Sequence, residues 1–139
     1  MADQTGALPA PPEQPTGELA VRTLAMPADT NPAGDIFGGW IMSLMDVAGG
    51  ISATQFARGR VATVAVTDMA FHLPVKVGDV VACYTALVRL GRTSLTLRVE
   101  AWAQRQRMGD NIKVTSADFT YVALDEAGKP RRVPREAAG

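Results

Sequence analysis

The spacing of apolar and polar positions changes character twice along this chain. From Glu18 the pattern becomes regular, and Leu19 to Met26 reads as a strand stopped by Pro27. Ala28 to Gly38 is rich in Asp, Asn, Pro and Gly, which predicts a loop. From Gly39 to Ala57 the apolar residues Trp40, Ile41, Met42, Leu44, Met45, Val47, Ala48, Ile51 and Phe56 fall nearly all round a helix. That pattern predicts a buried helix of about 28 Å at 1.5 Å per residue. Gly49-Gly50 in its middle weakens it locally and lets another backbone approach. After Arg58-Gly59-Arg60 the period becomes two. Val61 to Leu73, Asp79 to Leu90, Ser94 to Arg105 and Ile112 to Asp125 read as four long strands. The breaks between them are Pro74 to Gly78, Gly91 to Thr93, and Met108 to Asn111; Ala127-Gly128 follows the last. Such short connections favour antiparallel neighbours.

A strand, a buried helix and four long strands define an α+β domain, a sheet curled around one helix. Such a sheet leaves long edges and one open side, which edge pairing between subunits would cover. The expected single domain occupies residues 18–139. Residues 1–17, with Pro9, Pro11, Pro12 and Pro15 among Gly, Gln and Ala, read as a flexible tail. They lack the basic start and apolar core of a signal peptide. No stretch approaches the roughly 20 apolar residues that span a bilayer, so no membrane partner is expected.

Charge narrows the partners further. Lys+Arg and Asp+Glu both number 14. A net charge of zero leaves no broad basic field for nonspecific nucleic-acid binding. The one cysteine, Cys83, lies in the apolar run Val80 to Tyr84 and reads as a small buried hydrophobe. Free thiol usage of this kind fits a reducing cytoplasm. With one Cys and one His, a zinc site of the usual kind is not expected.

The candidate chemistry sits in Asn31-Pro32-Ala33-Gly34-Asp35-Ile36-Phe37-Gly38-Gly39-Trp40. A lone carboxylate, Asp35, stands a few residues before Gly38-Gly39 and the helix. An acid beside a helix N-terminus pairs a base or nucleophile with backbone N–H groups able to hold an oxyanion. Read locally, Asp35 is first a turn or capping aspartate, and Gly38 and Gly39 are hinges. Read as chemistry, the N–H of Gly39 or Trp40 is the oxyanion donor. Asn31 either shapes the loop or orients Asp35 or water. Asp46 lies within the predicted helix, and buried aspartates are rare without a partner, here Arg60 or a backbone N–H. His72, at a strand end, reads as structural.

The run Met26 to Asn31, then Gly34 to Met42, then Met45-Asp46, resembles the signature of YciA-type acyl-CoA thioesterases. Gly59 to Val66, Pro74 with Val77 to Val81, Gly91 to Ser94 and Val133 to Glu136 fit the same pattern, in the same order. The similarity spans about residues 22–136. It implies a hotdog fold and hydrolysis of acyl-CoA by a cytoplasmic homo-oligomer, a dimer or trimer of dimers, with sites at a dimer interface. It needs no cofactor; CoA enters as part of substrate and product. Asp35 falls on the family's catalytic acidic position, and Asp46 is the second candidate acid. The pantetheine arm is expected along Thr63-Val64-Ala65. The CoA phosphates are expected at Arg92 within the turn Gly91-Arg92-Thr93-Ser94, with Arg60 and the cluster Arg131, Arg132 and Arg135 as further partners. Two rivals stand beside this. One is a non-catalytic acyl-CoA sensor, which would need an output domain. The other is a hotdog dehydratase, which needs a His beside the acid.

Overall fold

The computed structural model describes residues 13–105 and 109–135. Of the expected tail, residues 1–12 lie outside it, as do Met108 and Glu136. The elements are β1 (Glu18–Leu24), α1 (Gly38–Ala57), β2 (Val61–Phe71), β3 (Val80–Leu90), β4 (Ser94–Gln104) and β5 (Asn111–Ala123), with one 3-10 turn at Pro27–Asp29. The five strands form one antiparallel sheet in the order β1-β3-β4-β5-β2.

One expectation is corrected here. The short link from Phe71 to Val80 does not join neighbours: β2 pairs with β5 at one edge, and β3 lies two places further in. The link instead crosses the open end of the sheet, held by Ile36 N–H to Val75 O at 2.9 Å and Gly78 N–H to Ala25 O at 2.9 Å. The other two short connections do make hairpins, β3–β4 and β4–β5.

α1 packs its buried face, Ile41, Met45, Ala48, Gly49, Ser52, Ala53 and Ala57, onto the concave side of the sheet. There it meets Leu95, Leu97, Val99, Phe119 and Tyr121. The alternation along β4 and β5 puts those side chains inward. The all-round apolar pattern is therefore only half explained within one chain. Met42, Val47 and Ile51 are exposed, with Val47 at 52%. Val47 and Ile51 lie beside the edge strand β2, whose Val64 is 57% exposed at a break in the β2–β5 register. No described helix is long and apolar enough to cross a membrane.

Gly49 admits a side chain, not the expected backbone. A Cβ there would overlap the Tyr121 hydroxyl, with Cζ at 3.1 Å. At its C-terminus α1 ends on Arg58 in the left-handed region (φ 54°), with Gly59 N–H reaching Thr54 O at 3.2 Å.

Candidate active site

The loop before α1 is built by Asn31. Its Oδ1 accepts the N–H groups of Ala33 (2.9 Å) and Asp35 (3.1 Å), and its own N–H donates to Asp35 O at 2.7 Å. These bonds hold the Asp35 backbone and leave its carboxylate alone, so the loop-shaping role of Asn31 is the one observed. The loop then docks on the β2–β3 link through an isolated bridge, Asp35 to Lys76. Asp35, one-third exposed, forms an ion pair through Oδ1 with Lys76 Nζ. Asp35 Oδ2 has no partner among the described residues.

Phe37 begins α1 without a side-chain cap. Trp40 N–H turns back onto Phe37 O (3.1 Å), and Ile41 N–H joins it at 3.3 Å. Of the two expected oxyanion donors, Trp40 is thus already bonded. The N–H groups of Gly38 and Gly39 have no partner among the described residues, as the first turn of a helix leaves them. Gly39 is exposed with open space where a Cβ would stand, and a Cβ on Gly38 would touch the Phe71 ring at 3.4 Å. Asp35, Gly38 and Asn31 share a pocket of about 320 Å³ with Ile36, Ile41, Phe71, His72, Leu73, Pro74 and Val75. His72 therefore lines the Asp35 pocket, where sequence separation hid it; its ring makes no hydrogen bond among the described residues.

Asp46 lies elsewhere. It is half-buried on α1 and paired neither with Arg60 nor with a backbone N–H. Thr63 Oγ1 donates to Asp46 Oδ1 at 2.7 Å, and the Tyr121 hydroxyl lies 3.0 Å from both Asp46 O and Oδ1. Burial, then the Asp46 charge and hydrogen bond, raise the Tyr121 pKa. Asp46 and Thr63 share a second depression with Val47, Gly50, Ile51 and Val61, open toward the β2 edge. Val64 and Ala65 continue that edge.

The basic residues divide. Arg131 is tied to the fold: Nη2 caps α1 at Ala57 O (2.7 Å), Nε bonds Leu124 O (3.0 Å) and Nη1 reaches Arg132 O (3.4 Å). Arg60 lies near it in a shallow groove with Asp125 and Glu126. Arg92 is exposed in the β3–β4 turn, which Gly91 N–H closes onto Ser94 O at 2.7 Å and Thr93 O ties to Ala123 N–H at 2.9 Å. Val133 N–H binds Arg92 O, and Arg135 Nη1 approaches Leu90 O at 3.4 Å. Arg92, Arg132 and Arg135 therefore gather at one turn.

Sequence reasoning missed Lys76 and Tyr121. Lys76 sits in a turn read only as a strand break, and Tyr121 on a stretch read only as a strand.

A curled five-stranded sheet around one long helix, with an acid and partnerless N–H groups at the helix start, is the hotdog architecture of thioester hydrolases. Residues 33–109 match the family model of the Thioesterase superfamily. The chain is 54% identical over 123 residues to the acyl-CoA thioester hydrolase YciA of Salmonella typhimurium, covering 86% of this chain and 92% of that protein. The hexameric thioesterase y2039 of Yersinia pestis superposes with a TM-score of 0.83 at 55% identity, covering 87% of this chain and 98% of that one. An aspartate-to-alanine mutant of HI0827, a hexameric broad-specificity acyl-coenzyme A thioesterase, superposes with a TM-score of 0.84 at 51% identity over 87% of this chain and 89% of that one. The chain belongs to the thioesterase superfamily, in its YciA-type family of acyl-CoA thioester hydrolases.

Proposed function

We propose that this chain hydrolyses acyl-CoA thioesters to a carboxylic acid and free CoA, with Asp35 as general base or nucleophile. The observation that carries this is one largely apolar pocket that holds the Asp35 carboxylate, with its Oδ2 unpaired, together with Gly38, at the start of a helix whose Gly38 and Gly39 N–H groups have no partner among the described residues. As base, Asp35 Oδ2 takes a proton from water while the water oxygen attacks the thioester carbonyl. The developing oxyanion meets the Gly39 N–H, where a single such donor is worth on the order of 10²–10³ in rate. The C–S bond then breaks, and the CoA thiolate leaves and takes up the proton. No metal or added cofactor enters the scheme.

The sensor reading has no use for an unpaired carboxylate oxygen in the pocket at the helix start. A dehydratase needs His and acid paired. Here the acid is paired with Lys76, and the His72 ring is unpaired among the described residues.

Assembly follows from where the groups lie. Asp35 precedes the N-terminus of α1, whereas the Arg92 turn adjoins the segment that caps its C-terminus. A 20-residue helix is about 30 Å long, so these groups stand far apart in one chain. Two copies paired antiparallel through β2 would set one α1 N-terminus beside the other's C-terminal half. Asp35 would then face the Asp46–Thr63 edge and basic turn of the second copy. The exposed Val47, Ile51 and Val64 fit such a seam, and a trimer of dimers is consistent with the hexameric relatives.

Thiol release across acyl-CoAs from acetyl to palmitoyl tests the activity. Asp35→Asn should remove turnover by on the order of 10²–10⁴ while acyl-CoA still binds. A variant with wild-type kcat would remove Asp35 from the mechanism and bring Asp46 forward.

A further inference from the structure

The turn that carries Lys76 is fixed far more tightly than an exposed turn requires. Asp79 is 1% exposed, and its carboxylate holds the turn from below. Asp79 Oδ2 accepts Lys76 N–H at 2.9 Å, and Asp79 N–H returns to Lys76 O at 3.0 Å. Arg105 clamps the same carboxylate, Nε to Oδ1 and Nη2 to Oδ2, each at 3.0 Å, and Nη2 also donates to Pro74 O at 3.0 Å. A bidentate fork of this kind fixes direction as well as distance. The turn is tied on its other side to the catalytic loop by Ile36 N–H to Val75 O and by the Asp35–Lys76 bridge. The Cα of Lys76 is therefore held from both sides, directly opposite Asp35.

Stability does not account for the ion pair on top. The Lys76 side chain is 48% exposed, and an exposed pair of this kind contributes little to stability. What the pair does is choose an orientation. The terminal torsion of an aspartate is broad and two-fold. An ammonium that takes Oδ1 singles out Oδ2 as the oxygen left for chemistry.

We infer that Lys76 is a positioning residue for the Asp35 carboxylate, and that the buried Asp79–Arg105 pair fixes the turn that presents it. This rests on the thioesterase reading of Asp35. Its consequence is that turnover depends on a lysine that need not touch the substrate.

The test is thiol release by the full-length oligomer with acetyl-CoA and butyryl-CoA. Lys76→Met keeps the stem and removes the charge. It should lower kcat by about 10–10²-fold, the scale of a displaced reacting group, with KM unchanged. Lys76→Arg should restore most of the loss. In an Asp35→Asn background, Lys76→Met should cost nothing more, since the group it orients is gone. Arg105→Lys keeps the charge but loses the fork, and should lower kcat in the same KM-silent way. Arg105→Lys decides the matter even if Lys76→Met fails to assemble, since an unchanged kcat in that variant would also overturn the proposal. A wild-type kcat in Lys76→Met, a loss confined to KM, no rescue by arginine, or full additivity with Asp35→Asn would each overturn the proposal. Silent wild-type protein on every acyl-CoA would instead overturn the thioesterase reading itself.

Discussion

Gly49→Ala is the sharpest test of how the core holds Asp46. Alanine is the better helix former, and on an exposed helix the change would stabilise by about 1 kcal/mol. At this position the new Cβ would overlap the Tyr121 hydroxyl and crowd Cζ at 3.1 Å and Cε1 at 3.2 Å. Tyr121 is 1% exposed, so its ring moves only against packed neighbours. Overpacking of this sort costs about 1–3 kcal/mol. Moving the hydroxyl off Asp46 forfeits a hydrogen bond to a charged group, about 1.5–3 kcal/mol. Less the propensity gain, the expected net loss is about 3 kcal/mol. Tyr121→Phe alone should cost about 2 kcal/mol by the lost bond. In that background the clashing oxygen is absent, so adding Gly49→Ala should cost about 1 kcal/mol or less. Urea unfolding of the four proteins at one fixed protein concentration reads this cycle, the concentration mattering because assembly contributes to apparent stability. A coupling below about 0.5 kcal/mol would mean that the two residues act independently and that the contact is not what Gly49 is for.

Arg92→Ala should raise KM for acyl-CoA with kcat unchanged, and leave a truncated thioester lacking the nucleotide unaffected; an equal loss on both substrates would make Arg92 a support of the fold. Cys83 should resist thiol reagents in the native protein, because burial pushes its pKa up to about 12, and should react fully in denaturant; the same silence keeps the enzyme's own thiol out of a CoA-release assay. Cys83 and Tyr121 both bind their protons more tightly folded than unfolded. Their contribution is therefore intact below the unfolded thiol range, about pH 8.5, and is lost as pH rises through the folded values. The urea midpoint should fall above about pH 9, and less steeply in Tyr121→Phe; a flat profile to about pH 11 would refute the linkage.

The elements were legible because each has a local cause. The helix runs from Gly38 to Ala57, against an expected start at Gly39, and every strand begins and ends within two residues of its predicted bounds. Period two and Gly-rich breaks set those limits without any tertiary information. The sheet order was less legible. A five-residue break looks the same whether it turns a hairpin or crosses the end of a sheet, and only the pairing of β2 with β5 decides which. The exposed face of α1 was misjudged for a related reason: apolar residues on every side predict burial, but not whether the covering surface belongs to the same chain.

At the candidate site the division is the same. Asp35, Gly38 and Gly39 stand in one short run, so their proximity is written in the order of residues. Lys76 and Tyr121 act on acids 41 and 75 positions away, and nothing local marks either. Lys76 looks like any turn lysine until the β2–β3 link is laid across the loop before α1. Tyr121 looks like any core aromatic until Gly49 removes the Cβ in its path. Arg131 shows the converse. In sequence it is one of three arginines in a basic tail, and only its bond to Ala57 O separates the residue that closes the helix from those left facing solvent. A charge is weighed as a ligand's partner only after the carbonyls within its own reach have been counted, and for Arg131 Nε, Nη1 and Nη2 each already donate to one.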